Sequence, residues 1–165
     1  MKKINIYVHQ KYVDLNVISA YQALTIYLKK TKCLNLKRFI NWQITVDTQK
    51  ENDEIVTELT EGSYLLCNPN KENIATSLDF DKEKLVYLDV KDKLHVKNNY
   101  LKGQLSDLSN LKINSIEKSI IWCCKIDESD HKLCKNYVEN ELLGISGVHS
   151  GILLNPIYES YSFLN

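Results

Sequence analysis

Two hydrophobic periods alternate along the chain. Residues 4–8, "INIYV", put β-branched and aromatic residues in a strand-like run and predict a first strand. From Asp14 the period lengthens. Val17, Ala20, Tyr21, Leu24, Tyr27 and Leu28 recur at helical spacing, with Asp14 or Asn16 as N-cap and Lys29 and Lys30 in the last turn. Further strands are expected at "RFINWQITV" (38–46), "SYLLC" (63–67), "KLVYLDV" (84–90), "SIIWCCKI" (119–126) and "GILL" (151–154), with "KLHV" (93–96) as a hairpin partner of the third of these. Helices are expected at "ENDEIVTEL" (51–59), stopped by Gly62, and at "DHKLCKNYVENELLG" (130–144), closed by Gly144. Residues 98–117 carry the weakest pattern and read as a surface excursion; "IYESYSFL" (157–164) reads as a terminal helical turn or a tail.

Five or six strands alternating with helices predict one α/β domain over residues 1–165, with a mostly parallel sheet and helices on both faces. A ferredoxin-like α+β packing is the alternative. The three consecutive apolar residues Ile152, Leu153 and Leu154 predict that residues 151–165 are integral to the domain, so truncation after Gly147 is expected to give unfolded protein, whereas truncation after Ser160 is expected to be tolerated.

Both prolines of the chain follow an asparagine, in "NPNKE" (68–72) and "NPIYE" (155–159). Asn as N-cap, Pro at the first helical position and Glu in the first turn together predict a strand turning sharply into a helix. The likeness extends upstream at a constant offset of 87, pairing Glu54 with Glu141, Ser63 with Ser150, Leu66 with Leu153, Asn68 with Asn155, Pro69 with Pro156 and Glu72 with Glu159. Duplication of a helix–strand–helix module and two similar solutions to one turn both account for these matches.

Composition removes several function classes. Net charge is zero, and Arg38 is the only arginine beside twenty lysines, so neither a global field nor a supply of bidentate donors favours nucleic acid. The apolar stretch after Lys2 and Lys3 is too short for a signal sequence, and no apolar run is long enough for a membrane span. Cys33, Cys67, Cys123, Cys124 and Cys134 are odd in number, form no CxxC pair and show no framework spacing, which argues against a disulfide scaffold and a structural zinc site and predicts a reduced, cytoplasmic protein.

Parallel sheets bind ligands beyond their C-terminal strand ends. His9, Cys67, Asn68, His149 and Asn155 are therefore the candidate ligand-binding residues, with Gln10, Asp127 and Glu128 at the same predicted edge. Cys67 paired with His149 has the residue types of a thiol hydrolase, since a helix N-terminus lowers a thiol pKa. His131 beside Asp127, Glu128 and Asp130 has those of a weak cation site. Ten tyrosines against three phenylalanines fit a recognition surface as well as a half-buried core.

"HQKYVDLNVISAYQAL" (9–24) resembles the opening metal-ligand segment of DHH-type phosphoesterases in its strand-end His9 and in Asp14 ahead of a helix of small and apolar residues. It departs from that pattern by lacking the proline, by one extra residue of spacing, and by Asn16 where a second acid belongs. The resemblance implies a metal-dependent hydrolase through His9 and Asp14. Without a complete catalytic set, the expected function is non-catalytic binding of a protein partner or a small anionic ligand, with no cofactor.

Overall fold

A computed structural model describes residues 1–61, 64–79, 85–94, 99–144 and 152–164. The elements in order are β1 (Lys2–Gln10), α1 (Leu15–Gln22, continued by a π-type segment over Ala23–Tyr27), β2 (Cys33–Val46), α2 (Asn52–Thr60) and β3 (Glu72–Ala75). A second series follows: β4 (Leu85–Asp92), α3 (Asn99–Ser109), β5 (Ile113–Ile126), α4 (His131–Tyr137, continued over Val138–Leu142) and β6 (Glu159–Phe163). Asp14 caps α1 as expected, its Oδ1 accepting the N–H of Asn16 at 2.9 Å and of Val17 at 3.4 Å. No helix of the described residues is long and apolar enough to cross a membrane.

The expected parallel sheet is replaced by a six-stranded antiparallel one in the order β3-β1-β2-β5-β4-β6. An antiparallel sheet stays compatible with the ferredoxin-like α+β alternative. The physical reason lies in the two long strands. β2 and β5 each run fourteen residues, and polar positions such as Asn35, Lys37, Asn114 and Glu117 hide their first halves from a hydrophobicity reading. Each series then builds the same ladder. Ile4, Ile6 and Val8 oppose Ile44, Trp42 and Ile40, as Val86, Leu88 and Val90 oppose Cys124, Trp122 and Ile120.

Five local expectations are corrected. Tyr64–Cys67 and Ile152–Leu154 are irregular, not strands, although Leu66, Cys67, Leu153 and Leu154 are buried. "NPNKE" opens a turn into strand β3, not a helix, and "NPIYE" does the same for β6, so the C-terminal segment is a paired strand. The weakly patterned 98–117 stretch holds α3 and the start of β5. Gly62 and the hairpin residues His95 and Val96 lie outside the described residues.

The chain forms two compact units whose segments interleave. Unit 1 comprises 1–12, 40–78 and 95–119; unit 2 comprises 13–39, 79–94 and 120–165. In unit 1, Ile6, Trp42, Ile44, Ile55 and Leu59 pack with Leu105 of α3. In unit 2, Ala20 and Leu24 of α1 pack with Leu88, Trp122, Cys134, Val138 and Leu142. Each unit thus takes one helix from the opposite series.

Candidate functional site

The two Asn-Pro turns are one device used twice. Asn68 Oδ1 accepts the N–H of Asn70 at 3.0 Å, and Asn155 Oδ1 that of Ile157 at 3.2 Å. Glu72 Oε2 accepts the N–H of Asn68 at 2.8 Å, and Glu159 Oε2 that of Asn155 at 2.7 Å. The preceding leucines supply carbonyls to buried indoles: Trp42 donates to Leu66 at 3.0 Å and Trp122 to Leu153 at 3.1 Å. The Lys11 and Lys93 ammonium groups donate to the carbonyls of Pro69 and Pro156. The shared geometry fits duplication and two similar solutions to one turn alike, and Glu54 at the start of α2 and Glu141 at the end of α4 are not equivalent positions. Ser63 and Ser150 lie outside the described residues.

The structure brings His9, Cys67 and Asn68 into unit 1 and puts Asn155 in unit 2; His149 lies outside the described residues. His9 stands opposite Asn73 in the β1–β3 ladder, and its Nδ1 lies 3.2 Å from the Gln10 carbonyl. Asp14, assigned to the other unit, is committed to the α1 cap and to an ion pair with Arg38 at 3.5 Å. Among the described residues no three His, Cys, Asp or Glu side chains converge as a metal site. Asp130 caps α4 through the Leu133 N–H and Glu128 pairs with Lys32, which gives the acidic residues around His131 structural partners.

Cys67 does not precede a helix, so no helix N-terminus activates it. Burial, and then the Glu72 carboxylate, push its thiol pKa up against a smaller lowering by Lys11. All five cysteines are buried, and none forms a disulfide. In native buffer, Ellman's reagent is therefore expected to label none of them rapidly, and all five in denaturant. A fast native thiol that maps to Cys67 would restore it as a nucleophile.

The least expected surface lies along α1 in unit 2. Its inner face carries Val17, Ala20, Tyr21, Leu24 and Leu28 into the core. Its outer side exposes apolar residues among polar ones: Leu15, Ile18, Ile26 and Tyr27 are exposed by 74%, 42%, 54% and 79%, interspersed with exposed Asn16, Ser19 and Gln22 and flanked by exposed Val13 and Leu34. A soluble helix ordinarily turns a polar face to water, so four large apolar side chains on this side form a partly apolar, exposed ridge. The signal was present in the sequence, because residues 13–28 hold more apolar residues than one helical stripe accommodates.

A groove follows the ridge on each flank. One, of about 510 Å³, is lined by Val17, Ile18, Tyr21, Gln22, Thr25, Ile26, Asn35 and Leu36. The other, of about 530 Å³, has small α1 residues (Asn16, Ser19, Ala20, Ala23) on one wall and Ile152–Asn155 with Glu159 on the other. Val90, Ile120 and Trp122 form its floor, and Arg38 lies at its edge. No family model, curated protein sequence or solved structure matches this chain.

Proposed function

We propose that this chain is a non-catalytic recognition domain that binds a protein partner over the α1 ridge. The observation that carries the reading is the run of exposed Leu15, Ile18, Ile26 and Tyr27 on a helix whose opposite face is already buried. Uncovered apolar area on that scale is a feature of interaction surfaces, and the flanking grooves offer pockets for anchoring side chains. A small anion is the weaker fit, because Arg38 at the groove edge is already paired with Asp14.

A photo-crosslinking residue placed at Ile18 or Ile26 in cells that make the protein naturally tests this. One discrete adduct is expected from either position, and none from the same probe at exposed Asp53 on α2. Ile26→Glu should weaken binding of the purified partner by about tenfold or more. Absent adducts at the ridge, or the same adducts from Asp53, would remove the proposal.

A further inference from the structure

The two series place the same strand pair under different helices, and the difference leaves one slot unfilled. Trp42 and Trp122 hold the same place in the ladder, opposite Ile6 and Leu88, so Lys118 on β5 and Arg38 on β2 are likewise equivalent. In unit 1 the Lys118 ammonium lies over the Trp42 ring, 5.2 Å from its centroid. In unit 2, Arg38 turns instead to Asp14, and among the described residues no cation stands over Trp122.

The helices differ to match. Left-handed residues end both, Lys29 with φ 56° and Asn110 with φ 54°, and this aligns Ser19, Ala20 and Ala23 with Tyr100, Leu101 and Gln104. Small side chains therefore stand beside Trp122, where α3 carries larger ones. Of the charges at this groove, Arg38 and Asp14 offset each other, and Glu159 leaves one net negative charge. A π face, an adjacent carboxylate and the aliphatic lining of Val90, Ile120, Leu153 and Leu154 match an ammonium on an alkyl stem.

We propose that the groove between α1 and Trp122 receives a primary alkylammonium, supplied as a lysine side chain by the partner that covers the ridge. The ammonium specificity stands on the groove alone; the identification of its source rests on the recognition reading above.

The test uses the full chain carrying Trp42→Phe, so that Trp122 is the only indole fluorophore. Nα-acetyl-lysine amide should give a saturable change in Trp122 emission, with backbone NMR shifts confined to α1, β5 and residues 152–159. The neutral analogue Nα-acetyl-norleucine amide and the anion butyrate should bind about tenfold more weakly or not at all. Ser19→Tyr with Ala23→Gln, which rebuilds the α3 surface at exposed or half-buried positions, should abolish the response while leaving the thermal midpoint near the parent's. No saturable response to lysine amide, or an equal response to norleucine amide or butyrate, overturns the inference. A crosslinked partner without lysine-amide binding also overturns it and leaves the ridge reading standing. Lysine-amide binding without any crosslinked partner supports the ammonium slot and removes the partner as its source.

Discussion

A chain ending at Ser160 is expected to lose cooperative folding, although the sequence alone marks that truncation as harmless. It removes Tyr161, Ser162 and Phe163, which stand opposite Val90, Asp89 and Leu88, and the Leu164 N–H that donates to the Tyr87 carbonyl at 3.0 Å. Tyr161 and Phe163 pack on the unit 2 core, and half-buried aromatics of this kind contribute roughly 1–2 kcal/mol each. The Tyr161 hydroxyl donates to Glu139 of α4 at 2.6 Å, and Lys135 lies over the Phe163 ring at 5.8 Å, so the strand also ties down that helix. With the lost ladder bonds the total is about 4–6 kcal/mol, comparable with the whole stability of an ordinary domain. Removing Asn165 alone should change little. Urea unfolding followed by near-UV circular dichroism decides the matter. A Ser160-terminated chain with a sharp transition near the full-length midpoint would refute the assignment of β6 as an integral strand.

Raising the pH above about 9 should progressively destabilise the protein. Burial pushes the Cys33 thiol up to about 11 and that of Cys124 well above its ordinary value, while burial and then Glu139 push the Tyr161 phenol up to about 12. In each case the folded state holds the proton more tightly than the unfolded chain. The stabilisation is therefore complete below the unfolded thiol value of 9.0 and is lost as pH rises toward the folded values. Cys33 alone accounts for about 2 kcal/mol between pH 9 and 11, and Cys124 adds to the same slope. Stability from urea titrations should fall through this window, and Cys33→Ala should flatten part of the fall. A level profile from pH 8 to 11, or an unchanged slope in the variant, would contradict the burial of these thiols.

The fold was legible wherever one period dominated. "INIYV", "KLVYLDV" and "SIIWCCKI" are strands, and the α1 cap at Asp14 is where the pattern placed it. The reading failed where short apolar runs have another purpose. Tyr64–Cys67 and Ile152–Leu154 are buried because their leucine carbonyls receive the Trp42 and Trp122 indoles, a tertiary constraint that no local window contains. Asn-Pro with a following Glu is ambiguous for a related reason. The same side chains that cap a helix also close the Asn68 and Asn155 turns, with Glu72 and Glu159 accepting the asparagine N–H groups in place of complementing a dipole. Strand direction was lost because helix–strand alternation implies parallel crossovers only when each helix packs back on the strands it connects.

That last condition fails here in a way that bears on synthesis. When residues 1–78 have left the ribosome, Ala20 and Leu24 of α1 are present, but Val86, Leu88, Trp122, Cys134 and Leu142, on which they pack, have yet to emerge. Unit 1 likewise waits for Leu105, Leu111, Ile113 and Ile116. Neither core is complete in a half-made chain, so the nascent first series carries its apolar helix uncovered until most of the second has emerged. For that interval it is a substrate for chaperones, or for the equivalent helix surface of a neighbouring nascent chain.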